Sequence, residues 1–179
     1  MPDAALDALD ISLLALLHEH PRAGALELSR LAGVARATVG ARLDRMRARG
    51  IITGYAPRID LVAAGYPVQA LATLEIAQGR LDEVADLLDS LPGVLEAYAT
   101  TGTGDMMVRL AAESNNDLQQ LLLDIDKSDA IRRSTSVIIL SVVVPPRTMP
   151  LLMQRGRRSP SRAPAFRDRA GSPGTAPPT

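Results

Sequence analysis

Five arginines, Arg36, Arg42, Arg45, Arg47 and Arg49, fall within fourteen residues that contain one acid, Asp44. A guanidinium is a fixed cation whose forked donors match phosphate oxygens and the O6/N7 edge of guanine, so the chemistry on offer is polyanion binding. On a wheel of 100° per residue, Thr38, Arg42, Arg45 and Arg49 share a stripe about 60° wide, beside a second stripe of Val39, Leu43 and Met46. A helix of this kind buries the aliphatic stripe and turns the arginines outward, toward a duplex that carries one charge per ~1.7 Å. Thr38, Arg42 and Arg45 are then placed for base edges, and Arg36, Arg49 and the later Arg58 for phosphates.

Other chemistries find little support. The chain has no Cys, and its two histidines, His18 and His20, sit together at the end of the first helix as ordinary surface residues. No Ser-His-Asp set, phosphate loop or metal-ligand spacing occurs, so neither an enzyme nor a cofactor is expected. The absence of a long uncharged apolar stretch points to a cytoplasmic protein with no membrane partner.

The arginine helix needs a scaffold. Asp7 reads as a helix cap with Asp10 at the third position, Leu6 packs on Ile11 as a staple, Leu13, Leu14 and Leu17 continue the apolar face, and His20-Pro21 ends the helix. A short helix from Ala25 to Ala32 closes at Gly33, and the arginine helix runs from Arg36 to Arg49 before Gly50. Two helices joined by a short Gly-containing turn form a helix-turn-helix, and the β-branched, turn-prone Ile51 to Ile59 would supply a wing hairpin. Taken alone, the arginine run equally suits a solvated face enriched by codon usage, since Lys127 is the only lysine. The turn before it and the wing signal after it favour DNA.

Residues 68–144 alternate strand and helix signals in the order β-α-β-β-α-β. Strands are expected at Val68–Ala77, Val94–Thr101, Met106–Ala111 and Ser134–Val144, with helices around Leu81–Leu91 and from an Asn115 or Asn116 cap to Ile125. This is the ferredoxin-like order, a sheet with both helices on one face, and another subunit is expected to cover the other face. The chain is therefore an α+β protein. Residues 1–60 form a winged helix-turn-helix, 61–67 a linker, 68–144 a ferredoxin-like sensing and dimerisation domain, and 145–179 a basic, Pro-rich tail expected to lack stable structure apart from one short docked turn at Leu151, Leu152 and Met153. Charge follows these divisions: residues 1–60 hold eight bases and seven acids, 61–144 five and twelve, and 145–179 seven and one.

The ordered set Leu6-Asp7, Asp10, Leu13-Leu14, Leu28, Leu31-Ala32-Gly33-Val34, Val39, Arg42-Leu43, Met46, Gly50-Ile51-Ile52, Gly54-Tyr55 and Ile59-Asp60 resembles the N-terminal half of leucine-responsive/asparagine-regulator (Lrp/AsnC) transcription factors. Leu91-Pro92-Gly93-Val94 and Thr101-Gly102-Thr103-Gly104-Asp105 look like that family's effector domain. The resemblance implies homodimers, often assembled into tetramers or octamers, that bind double-stranded DNA and respond to a small-molecule effector, an amino acid in particular. It also implies an effector site at Thr101, Gly102, Thr103, Gly104 and Asp105, the last pairing with an α-amino group. Ala35 stands where such proteins often have a capping Ser, and the basic tail exceeds the usual length; its charge suits a non-specific DNA arm, although a charged tail with no partner is the commoner case. The alternatives are an architectural DNA-binding protein with no ligand, and a tetrapyrrole decarboxylase-like offshoot of the same fold.

Overall fold

The computed structural model describes residues 6–158. They belong to two compact units, one running up to Tyr55 and taking in the chain again from Pro146, the other spanning Ala56–Pro145.

The first unit opens with α1 (Ala8–Glu19), whose start is fixed by a reciprocal cap. Asp7 Oδ1 accepts from the Asp10 N–H at 2.9 Å and Asp10 Oδ2 accepts from the Asp7 N–H at 3.2 Å, as the sequence predicts. Helix α2 (Ala25–Ala32) ends at Gly33, whose φ of +66° lies in the left-handed region that glycine enters without steric cost. Helix α3 (Arg36–Ala48) follows, with Arg49 closing it. Leu13, Leu28, Val39, Leu43 and Met46 form the buried centre, and Ile51 and Ile52 pack against it. Each such side chain removed from water contributes about 1.5–3 kcal/mol, so the aliphatic stripe of α3 fixes which side of that helix faces out.

The second unit contains β1 (Val68–Ile76), α4 (Leu81–Ser90), β2 (Val94–Ala99), β3 (Met106–Ala112), α5 (Asn115–Asp126) and β4 (Ile131–Ile138). The strands lie in the order β2-β3-β1-β4 with every neighbouring pair antiparallel, which is the ferredoxin-like sheet. Alternate residues of β1 and β3, among them Ala70, Ala72, Leu74, Val108 and Leu110, pack with Val84 and Leu88 of α4 and Leu118 and Ile125 of α5. By strand pairing, the opposite face presents Leu71, Thr73 and Glu75 from β1, Arg109 from β3 and Arg133, Thr135 and Val137 from β4.

Four expectations are corrected. No strand forms over residues 51–60, so the wing hairpin is absent there: the Ile51 and Ile52 N–H groups donate back to the Met46 carbonyl, and Pro57 has no N–H for a ladder. Strand β4 begins three residues earlier than expected and stops at Ile138 instead of Val144. The Ile139 N–H still donates to the Gln69 carbonyl, but Pro67 then brings β1 to its start and nothing remains to pair with. Helix α5 is capped by Ser114, whose Oγ accepts from the Asp117 N–H, in place of Asn115 or Asn116. Finally, the tail holds more structure than the one short docked turn expected at Leu151 to Met153: it is helical over α6 (Met149–Arg158), which packs on α1. Met149 is buried, and Pro150 sits in the first turn, where its missing N–H costs nothing. Residues 159–179 lie outside the described residues.

Candidate nucleic-acid interface and effector site

Helix α3 carries the arginines as its periodicity demands, yet two of them are tied to acids of α1. Arg36 and Thr38 stand exposed on the first turn, and no side chain caps the helix at Ala35, so the donors of that turn stay open. Arg42 Nη1 donates to Asp7 Oδ2 at 2.6 Å and to Asp10 Oδ1 at 2.8 Å, leaving the Arg42 side chain 24% exposed. Arg45 Nη2 donates to both oxygens of Asp10, at 2.9 and 2.7 Å. Asp10 is 1% exposed, and four hydrogen bonds from three donors converge on its two oxygens. A buried carboxylate is tolerated only with such full pairing, and here the pairing ties α3 to the start of α1.

This corrects the expectation that Arg42 and Arg45 lie equally free on the outer stripe. Arg42 is a strut between helices. Arg45 keeps about half of its surface, 47%, in contact with solvent, and its Nη1 and Nε donate to no protein group among the described residues. Burial pushes the Asp7 carboxyl up, but its hydrogen bond from Arg42 and the N–H groups of the capping turn outweigh this and hold it below the usual carboxylate range. Asp7 and Asp10 in turn raise the Arg42 guanidinium.

Arg49 is half-buried, Arg58 is exposed in the second unit, and each has a partner of its own. Arg47, which the sequence places on the flank, has a structural task. It bonds Asp44 Oδ1 at 2.6 Å, donates to the Tyr55 hydroxyl at 2.9 Å and stacks 5.3 Å from that ring, pinning the chain after α3.

In the second unit, Thr101 to Asp105 form the β2–β3 turn. Gly102 adopts φ +134°, and Gly104 is buried with no room for a side chain, since a Cβ would lie 2.2 Å from Thr73 Cγ2. Asp105 is exposed, but one of its carboxylate oxygens is held by β1: Oδ2 accepts from the Ile76 N–H at 2.7 Å while its own N–H donates to the Leu74 carbonyl. It braces the turn on β1. Thr103 reaches an open depression of about 240 Å³ together with Thr73, Glu75, Arg133 and Thr135. Arg133 Nη1 and Glu75 Oε1 face each other there at 3.8 Å, too far for a hydrogen bond and close enough to attract. Sequence reasoning missed Glu75 and Arg133. The signal was present in their opposite signs on paired strand positions, but Arg133 lay outside the strand expected to begin at Ser134.

Among the described residues no group of His, Asp and Glu is arranged to hold a metal ion, and no helix is long and apolar enough to cross a membrane.

The pattern of the AsnC-type helix-turn-helix domain matches residues 6–47, and that of the Lrp/AsnC ligand-binding domain matches residues 69–149. An uncharacterised helix-turn-helix transcriptional regulator of Pyrococcus furiosus is 32% identical over 138 residues, which cover 76% of this chain and 93% of the relative. AsnC of Escherichia coli superposes with a TM-score of 0.77 at 28% identity, over 82% of this chain and all of that one. A feast or famine regulatory protein of Mycobacterium tuberculosis, solved in complex with L-methionine, gives 0.73 at 28% identity, over 80% and 98% of the two chains.

Proposed function

Because the chain belongs to the Lrp/AsnC family of helix-turn-helix, DNA-binding transcriptional regulators, we propose that it reads a specific operator with α3 and that a small zwitterion at its sheet domain sets how tightly it does so. The observation that carries the first part is the full burial of Val39 and Met46 beneath α3, with Arg36, Thr38 and Arg45 left outward. Thr38 and Arg45 reach base edges in the major groove, while Arg36, Arg49 and Arg58 neutralise phosphates. Arg42 holds the reading helix at its angle and contributes no direct contact. In a homodimer two such helices meet successive major grooves, ~34 Å or a multiple of it apart.

An amino acid suits the depression beside the β2–β3 turn. Its carboxylate would take Arg133, its ammonium Glu75, and the hydroxyls of Thr73, Thr103 and Thr135 supply further hydrogen bonds. The methionine complex of the mycobacterial relative supports this ligand class. Asp105 acts through the turn, so Glu75 replaces it as the partner of the α-amino group. The self-association expected of such a regulator has a surface available in Leu140 and Val143, which stand 96% and 89% exposed after β4.

Band-shift titrations between ~50 and 200 mM salt test the DNA reading, since 6–10 phosphate contacts make affinity fall by about 10³–10⁵ over that range. A shallow response overturns it. Calorimetry with a panel of amino acids tests the ligand site: Glu75→Gln and Arg133→Gln each weaken the best binder about tenfold or more, the worth of one charged hydrogen bond. No binding by any member of the panel leaves a ligand-independent architectural protein as the better account.

A further inference from the structure

Arg45 is anchored on one side and open on the other. Nη2 donates to both oxygens of the buried Asp10, at 2.9 and 2.7 Å, while Nη1 and Nε, with three N–H groups between them, meet no protein acceptor among the described residues. Asp10 cannot follow the guanidinium outward, because its carboxylate also completes the α1 cap through the Asp7 N–H and takes Arg42 Nη1 at 2.8 Å. An unanchored arginine gives up its rotamer freedom when it binds; here much of that freedom is already gone on folding. A guanidinium paired with a carboxylate is also a weaker counter-ion for phosphate than the exposed Arg36, whereas its open N–H groups keep their direction. Open donors with no acceptor suit one base above the others. In the major groove guanine presents two acceptors, O6 and N7, while adenine sets a donor beside N7, cytosine shows a donor and thymine sets a methyl beside O4.

We infer that Asp10, although it lies outside the reading helix, is a specificity-determining residue: it aims Arg45 at the major groove, where Nη1 donates to a guanine, and makes that one base of each half-site count for more than its neighbours. Arg45 touches the base and Asp10 is the positioning residue that acts through it. This rests on the DNA-binding reading above, and adds to it the base that is read and the carboxylate that aims the side chain.

The full-length chain is used to select duplexes from a pool with a randomised centre, and each position of the selected half-site is then substituted in turn and its binding measured by fluorescence anisotropy. The unaltered chain, Asp10→Asn and Arg45→Gln are compared, with circular dichroism showing that each is folded. The unaltered chain should require one guanine, whose replacement by adenine weakens binding about tenfold to a hundredfold. Arg45→Gln, which leaves Asp10 its cap and its bond from Arg42, loses that preference. Asp10→Asn loses most of it at the same position and keeps the preferences at the others, whereas a merely structural role would flatten every position together. Such uniform flattening overturns the inference, as does an Asp10→Asn chain that still requires the guanine, or an unaltered chain whose Arg45-dependent position is a base other than guanine. Failure of the unaltered chain to enrich any sequence instead removes the operator-reading role of α3 on which the inference stands.

Discussion

Asp10 decides more of this molecule's behaviour than any arginine it binds. A carboxylate almost without solvent contact takes two roles at once, completing the cap of α1 and receiving the side chains of Arg42 and Arg45 from α3. Asp10→Asn keeps the shape and removes the charge, and we expect about 1–3 kcal/mol of lost stability by denaturant melts. The same change weakens the hold on Arg45, while Arg42 keeps its ion pair with Asp7. Discrimination between operator and random duplex should therefore fall while non-specific binding does not. Asp7 adds a dependence on acidity. Its carboxyl is depressed in the folded state, so the stability it lends is complete above the ordinary value of about 3.9 and is lost as pH falls through the lower folded value. Asp7 is half exposed, so this amounts to no more than about 0.2–1 kcal/mol, and an Asp7→Asn chain should lose less stability than the parent, by up to that amount, as the pH falls from neutrality through the folded value. At the β2–β3 turn, Gly104→Ala forces a methyl against the stiff Thr73 side chain and costs about 1–3 kcal/mol. Adding Thr73→Ser, which deletes the clashing Cγ2, should return most of it; no recovery would place the strain elsewhere.

At the level of elements, local chemistry made most boundaries readable from sequence. The Asp7/Asp10 cap, the Gly33 turn and the buried stripe of α3 each depend on neighbours a few residues away, and all three stand where the residues imply. Long-range pairing was not readable in that way. Val142, Val143 and Val144 have strong strand character, but strand β4 lasts only as long as β1 offers a partner, and Pro67 ends that offer. The destinations of Arg42 and Arg45 were hidden for the same reason, since the stripe on α3 says which way a side chain leaves the helix and nothing about the acids of α1 waiting there. Helix α6 was obscured by composition: prolines and arginines around it outweighed the spacing of Met149 and Leu152. Helix α3 has no capping side chain at Ala35, and Ala35→Ser should supply one, raising stability by about 0.5–2 kcal/mol in thermal melts. If the open turn also serves a phosphate, the added hydroxyl leaves DNA affinity unchanged or better, and a loss would show that the turn must stay bare.

On the proposed reading, the controlling quantity for the whole molecule is the number of copies that act together, because a single reading helix contacts too few base pairs to single out an operator. The segment after β4 leaves Leu140 and Val143 almost fully in water, with Val137, Val142 and Val144 also exposed. Apolar surface gathered on one segment costs about 25 cal/mol per Å² while it stays wet, so association that covers it is strongly favoured. Leu140→Asp with Val143→Asp reverses that balance by placing two carboxylates where water must be expelled. These positions lie after the last strand and outside both hydrophobic clusters, so each copy keeps its fold. Sedimentation should show a smaller assembly whose helix content by circular dichroism is unaltered. Its affinity for an operator with two half-sites should fall by about 10²–10⁴, the factor lost when the second half-site is no longer tethered, while its affinity for one half-site stays put. An assembly of unchanged size would move the interface to another face, and a smaller one that still held both half-sites at full strength would mean that recognition does not depend on pairing at all.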